Sequence, residues 1–256
     1  MEARQRRHRS RSKRRGRFRG LYQVLSVLAV TAAIAVACVV FFRVNVIEVT
    51  GNARYTAQEV VEASGIAIGD NLAALPQGEI ASRIRTRLPY VESVAIHRLL
   101  PDGVRLVVKE RVAAASVAGA DGNRYLVSAT GRLLELDPGE GAMALTGLTA
   151  LNPAVGGTLT VAEEEAPRLE YVQSLLSALE EREMLGKCTA LDCTQELTFT
   201  LTYQIYQVKL PATADYTDEL RLLRGALESG ELPQGVAGTF DLTVEAGKAF
   251  FRPSAS

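Results

Sequence analysis

The sequence predicts a single N-terminal transmembrane helix followed by an α+β ectodomain in two parts. Three observations carry that reading. Residues 21–42 form an uncharged run of 22 residues. The next stretch, 43–112, switches between strand and helical periodicity in the order strand, helix, helix, strand, strand. Residues 113–253 then read as a larger mixed sheet with helices, built from short alternating strands and two leucine-striped helices.

The chain has 256 residues and a formal net charge of zero, but the zero hides an asymmetry. Residues 1–20 hold ten of the 29 Lys and Arg and one of the 29 Asp and Glu, leaving 19 cations and 28 anions in residues 21–256. A strongly basic tail thus precedes an acidic remainder, which excludes a uniformly basic nucleic-acid binder. At 47% apolar residues the chain is not disordered as a whole. Three cysteines are too few for a disulfide-stapled scaffold, and two histidines exclude a His-rich metal site.

From Leu21 to Phe42 only Tyr22, Gln23, Ser26 and Thr31 are appreciably polar. A helix of that length is about 33 Å long at about 1.5 Å per residue, matching a hydrocarbon core of roughly 30 Å. Ten cations stand before it and only Arg43 directly after it, so the positive-inside rule puts residues 1–20 in the cytoplasm and residues 43–256 outside. The Arg-rich run reads as a topogenic signal that also touches anionic lipid. With Phe18 as its one aromatic, it is a poor nucleic-acid arm. Cleavage is the competing pattern, because Ala35-Val36-Ala37 precedes Cys38 where a lipoprotein cysteine would stand. Against it, apolar residues continue through Val39, Val40, Phe41 and Phe42, where a mature lipoprotein would turn polar.

In the first outside unit, Val44 to Thr50 reads as a strand ending at Gly51-Asn52. Thr56-x-x-Glu59 is a capping box that opens a short helix stopping at Gly65. Ile66 to Leu75 is a turn-rich connection centred on Gly69-Asp70-Asn71. Pro76 opens a second helix whose stripe is Ile80, Ile84 and Leu88, and Pro89 ends it. Val91 to Leu100 is a strand, Pro101-Asp102-Gly103 a turn, and Val104, Leu106 and Val108 alternate in the partner strand. Two helices would cover one face of a three-stranded sheet.

These residues resemble a known family. Phe42-Arg43-Val44, Ile47-Glu48-Val49-Thr50-Gly51-Asn52, Gly65-Ile66, Gly69-Asp70-Asn71, Leu88-Pro89-Tyr90-Val91, Pro101-Asp102-Gly103 and Val108-Lys109-Glu110-Arg111 fall in the order of the landmarks of a POTRA domain next to a membrane. After one N-terminal span, this set is similar to the bacterial cell-division family FtsQ, also called DivIB. The resemblance is strongest over 42–112. It departs where the family usually has Pro soon after its Glu-Arg; here Val112-Ala113-Ala114 follows.

In the second unit, Ala113 to Val117, Tyr125 to Val127 and Arg132 to Glu135 read as short strands, and 137–162 as loop with short strands. Glu163-Glu164-Glu165 opens a helix striped by Leu169, Val172, Leu175, Leu176 and Leu179. Gly186 to Leu210 is a strand meander, and Asp215 or Thr217 caps a helix with Leu220, Leu223 and Leu227 on one face. Phe240, Leu242 and Val244 alternate as a further strand, and Ala246-Gly247-Lys248 turns the chain into Ala249-Phe250-Phe251-Arg252, with 254–256 as a short end. This unit resembles, more loosely, the second domain of the same family.

No catalytic arrangement stands out. His8 lies in the tail, and His97 reads as a sheet-surface side chain. There is no Gly-x-Ser-x-Gly, His-Glu-x-x-His or phosphate-binding Gly-rich loop. Cys188 and Cys193 make a poor zinc site without nearby His. In an oxidising compartment they suggest a bridge, which needs a turn near Ala190-Leu191 to bring the Cα atoms within about 7 Å, and two free thiols remain open. No cofactor or small-molecule substrate is expected, and the protein reads as no enzyme. The resemblance implies a non-catalytic bitopic scaffold at the division septum in the bacterial cell membrane, holding FtsB- or DivIC-like and FtsL-like partners and so supporting septal peptidoglycan synthesis. A membrane-anchored cell-wall enzyme and a POTRA-bearing export or assembly factor are the alternatives. The expected partner surface is the last strand, with Lys248, Ala249, Phe250, Phe251 and Arg252. A final strand is a natural sheet edge, and adjacent Phe250 and Phe251 must point to opposite faces.

Overall fold

The structure, a computed structural model, describes residues 15–139, 141–213, 215–229, 235–245 and 247–254, and in the N-terminal helix the side chains of 20–34, 36, 37 and 41. Most of the basic tail therefore lies outside the described residues. Helix α1 (Arg15–Phe41) contains the uncharged run up to Phe41. Leu21, Val24, Leu25, Val27, Leu28, Val30, Ile34 and Val36 are all exposed on it, so apolar side chains face outward around its whole circumference. Among the described residues no helix is long and apolar enough to cross a membrane.

Residues 42–45 connect α1 to the first domain. Strand β1 (Val46–Thr50) is followed by helices α2 (Ala57–Ser64) and α3 (Gln77–Arg87) and then by strands β2 (Val91–Leu99) and β3 (Gly103–Glu110). The sheet order is β1-β3-β2, with β1 parallel and β2 antiparallel to β3. Val60, Ile80, Ile84, Val91, Val104, Leu106 and Val108 form one buried core between the helices and the sheet, as the stripes predict.

Each sequence landmark of this domain has a local physical reason. Gly51 has φ +80°, and a Cβ there would collide with the Val108 carbonyl oxygen. Thr56 and Glu59 form the predicted capping box. Asp70 accepts from the Ala67 N–H (2.9 Å) and Asn71 from the Ala73 N–H (2.9 Å), closing the turn-rich connection. The Asp102 carbonyl in the β2–β3 turn accepts from the N–H groups of Asn45 (2.8 Å) and Val46 (3.3 Å). At the far end, the Glu110 carboxylate accepts from three successive N–H groups, Ala53 (3.0 Å), Arg54 (2.7 Å) and Tyr55 (3.2 Å). Arg111 donates to the Val91 carbonyl at 2.6 Å.

The second domain is a nine-stranded sheet among the described residues. Its strands are β4 (Ala113–Gly119), β5 (Arg124–Ser128), β6 (Leu133–Leu136), β7 (Ala144–Ala150), β8 (Cys188–Asp192), β9 (Thr198–Tyr203), β10 (Tyr206–Pro211), β11 (Gly238–Asp241) and β12 (Phe250–Pro253). They run in the order β12-β11-β10-β9-β8-β7-β4-β5-β6. Strand β7, inside the stretch predicted as loop with short strands, lies mid-sheet and pairs in parallel with both β4 and β8. Helices α4 (Ala166–Glu181) and α5 (Thr217–Glu228) bury Val172, Leu175, Leu176, Leu179, Leu220 and Leu223. These join Phe199, Leu201, Val208, Leu210 and Phe240 in one core. The intervening Thr200, Thr202, Gln207 and Lys209 face outward, so this half of the sheet is covered on one side only. The predicted strand through Val244 stops at Asp241, because its carboxylate turns back to accept from both the N–H and the hydroxyl of Thr243.

The two domains meet at the end of the first that lies away from α1. Tyr90 packs on Leu126 and Leu134 of the second domain. Its hydroxyl donates to Glu135 at 2.7 Å, and burial followed by that bond holds the phenol above its ordinary pKa. Arg54 donates to both Glu135 oxygens at 2.8 Å and lies over the Tyr90 ring, 4.1 Å from its centroid. Glu110→Ala removes the acceptor that holds the loop carrying Arg54. It is expected to cost about 2 kcal/mol in urea unfolding of the full chain in detergent, with Glu110→Gln losing less. Equal stability of Glu110→Ala and the parent protein would show that the loop holds itself.

Candidate partner-binding edge

A sheet of this kind has two outer edges, and they differ. At β6 the segment 156–159 covers the edge: Leu133 N–H donates to the Gly157 carbonyl (2.9 Å), Gly156 N–H to the Leu133 carbonyl (2.8 Å), and Arg132 bridges Thr158. At β12 no further strand is paired among the described residues. That edge is where the sequence places Lys248, Ala249, Phe250, Phe251 and Arg252, and the structure keeps all five together there.

The register fixes which groups point outward. Strand β12 pairs antiparallel with β11, Phe250 opposite Asp241 and Phe251 opposite Phe240. Ser254 N–H donates to the Ala237 carbonyl at 2.9 Å, so those two residues form a hydrogen-bonded pair. Alternation makes Arg252 and Phe250 the next residues bonded to β11, and leaves the N–H and C=O of Ala249 and Phe251 directed outward. Pro253 offers only its carbonyl.

The two rings divide as the pleat requires. Phe251 is half-buried on the core face, 4.9 Å from Phe240 and 6.0 Å from Tyr206 between centroids. Gly238 makes room for it, since a Cβ at that position would run into the Phe251 ring and the Arg252 carbonyl. Phe250 is 37% exposed on the opposite, polar face. Lys248 is held by Glu245 at 2.8 Å on the surface. A hydrogen bond from Thr243, with the nearby cations Lys209 and Arg252, holds the Asp241 carboxyl below its ordinary range. Sequence periodicity missed Val244 here. Alternation predicts a strand residue, but beyond the Asp241 turn it is exposed.

The Cys188–Cys193 bridge does not form: both thiols are free and buried. Strand β8 is extended over Cys188–Asp192, with no turn at Ala190-Leu191, and five extended steps place the two Cα atoms about 16 Å apart. The Cys193 thiol instead approaches the Thr146 carbonyl at 2.8 Å. Burial pushes both thiols up to about 12, which disarms them as nucleophiles and metal ligands. Among the described residues no group of three or more His, Cys, Asp or Glu could hold a metal ion.

Two outcomes follow. Thiol titration should find Cys188 and Cys193 unreactive in the folded protein and both free after non-reducing denaturation; a shortfall of two thiols would establish the bridge. Gly238→Ala and Phe251→Ala should each destabilise the second domain by about 2 kcal/mol in thermal unfolding, whereas Phe250→Ala should change stability by less than about 1 kcal/mol.

Residues 42–111 match the POTRA domain, FtsQ-type. The chain is 28% identical over 155 residues to the cell division protein FtsQ of Corynebacterium glutamicum, covering 59% of this chain and 69% of that protein. It is 23% identical over 214 residues to the cell division protein DivIB of Clostridium botulinum, covering 82% of each. The match to DivIB of Clostridium acetobutylicum, at 26% identity, spans 54% of both chains. With an FtsQ-type POTRA domain at residues 42–111 and a larger sheet domain behind it, the chain is similar to the FtsQ/DivIB cell-division proteins.

Proposed function

We propose that the protein is a non-catalytic, single-pass membrane scaffold of the division machinery. Its β12 edge would hold FtsB- or DivIC-like and FtsL-like partners at the septum and so support septal peptidoglycan synthesis. The observation that carries this reading is the contrast between the two sheet edges: one is covered by the chain's own backbone, and the other is unpaired among the described residues with an exposed aromatic beside it. Backbone groups on such an edge accept an added strand, and a flanking aromatic supplies an anchor. In this reading Phe250 is the anchor, Ala249 and Phe251 offer backbone, and Lys248 and Arg252 attract an acidic partner.

The membrane placement rests on α1. Leu21 to Phe42 hold no charge, and a helix that is apolar all round is stable only in apolar surroundings. Ten cations before it put the N-terminus in the cytoplasm and the two domains outside.

The test is recovery of partners with the full, membrane-extracted chain, identified by mass spectrometry. The parent chain should recover small single-pass division proteins of the FtsB/DivIC and FtsL kind. Phe250→Ala should recover them at least about tenfold less while unfolding at the same temperature, because a buried aromatic anchor typically contributes 2 kcal/mol or more. Equal recovery by the two chains would move the partner surface away from β12.

A further inference from the structure

The connection between α1 and the first domain is tied down on two sides. Phe42 and Val44 pair with the segment 69–72: Leu72 N–H donates to the Phe42 carbonyl (2.9 Å), Val44 N–H to the Asp70 carbonyl (2.9 Å), and Gly69 N–H to the Val44 carbonyl (2.8 Å). Asn45 is bound to the β2–β3 turn, through its N–H to the Asp102 carbonyl (2.8 Å) and its side-chain amide to the Asp102 carboxylate (3.1 Å). Val44 is three residues past Phe41 and Asn45 four, so both loops attach within about 14 Å of the helix end even if the chain is fully extended.

The tips of these two loops are apolar and exposed. Ala67, Ile68 and Gly69 form one, with Ile68 65% exposed, and Leu100 and Pro101 the other, with Leu100 72% exposed. Val46 is exposed at the same end. The acids of the loops are engaged by hydrogen bonds within the domain: Asp70 accepts from the Ala67 N–H and Asp102 from Asn45. Arg43 is the exposed cation in the connection. Single exposed apolar residues elsewhere need no explanation, but here three converge on the end from which the apolar helix leaves. Contacts with the second domain, through Arg54, Tyr90 and Glu135, lie at the opposite end and leave this one uncovered by it.

We propose that the tips Ala67–Gly69 and Leu100–Pro101 dip into the headgroup layer of the leaflet that α1 leaves, so that the first domain is seated on the lipid surface. This rests on the membrane placement of α1 proposed above. That layer is about 5–8 Å deep on each side of the hydrocarbon core, a depth that Leu and Ile side chains on loops beside the helix end can enter, with Arg43 at the level of the lipid phosphates. The fixed connection then converts one helix, which alone would let the domain swing, into a three-point attachment.

The chain contains no tryptophan, so a single introduced one reports its own surroundings. The full chain is reconstituted in vesicles with and without lipids brominated in the upper acyl chain, carrying in turn Leu100→Trp, Ile68→Trp, Val30→Trp in α1, and Val112→Trp. Val112 is 58% exposed just beyond the far end of β3 and controls for the interfacial preference of tryptophan itself. Leu100→Trp and Ile68→Trp should lose at least about half of their emission to the brominated lipid, as Val30→Trp does, while Val112→Trp keeps it. If Val30→Trp is quenched but the two loop variants behave like Val112→Trp, the docking is overturned and the span stands. Quenching of Val112→Trp to the same extent also overturns it, since the contact would then not be local to the tips. If Val30→Trp is not quenched, the span and the docking fall together.

Discussion

The arrangement of the two domains depends on one carboxylate. Glu110 ends β3, and its two oxygens gather the N–H groups of Ala53, Arg54 and Tyr55 from a loop more than fifty residues earlier. A carboxylate that accepts three backbone donors leaves little freedom to the loop that supplies them. Arg54 is thereby aimed across the junction at Glu135, and its guanidinium closes over Tyr90, which reaches the same carboxylate. Arg111, the next residue, donates its N–H to the Tyr90 carbonyl and its side chain to the Val91 carbonyl, so the strand that leads into the second domain is pinned where it leaves the first. The paired Glu-Arg is therefore more than a boundary mark. It sets the direction in which the large sheet departs from the first domain.

How far the sequence could be read follows from how local each constraint is. The first domain was legible because its landmarks act over a few residues. A left-handed glycine, a capping box, an Asx turn and a prolyl hairpin each announce themselves in the residues that form them. The second domain was legible only in part. Strands β9 and β10 form a hairpin with clean alternation and were expected, whereas β7 pairs in parallel with two strands distant in sequence and carries glycine in its middle. Parallel pairing leaves no turn signal between the partners, so a broken apolar stretch reads as loop. Cys188 and Cys193 illustrate the reverse error. Their spacing allows a hairpin bridge in the abstract, but Leu191 is fully buried between β7 and β9, and that burial holds β8 straight. At the candidate edge, the opposed directions of Phe250 and Phe251 followed from the pleat alone. That the Phe251 ring needs Gly238 diagonally across from it could not be read, because the two are thirteen residues apart and meet only across the β11–β12 ladder.

The open edge is also a small one, and its size constrains what can bind. Strand β12 has four residues, and Pro253 removes one donor from its outer side. Among the described residues of this edge, Ala249 and Phe251 present the outward N–H groups, by the alternation that Ser254 and Ala237 fix. Each backbone hydrogen bond contributes about 0.5–1.5 kcal/mol net, so strand addition over this length supplies only a few kcal/mol, less than the cost of ordering an extended segment at about 1–2 kcal/mol per residue. Ladder bonds alone therefore cannot hold a partner. A true partner must supply side-chain burial beyond the strand, and the surface offers it in one direction. Phe250 stands on the polar face and Val244 beyond the Asp241 turn, both exposed, with Lys248 and Arg252 at the margin. A partner segment that adds a strand and then continues as an amphipathic element could cover both apolar residues and meet both cations with acids. Specificity would then reside in the side chains around the edge, and the ladder would set only the register.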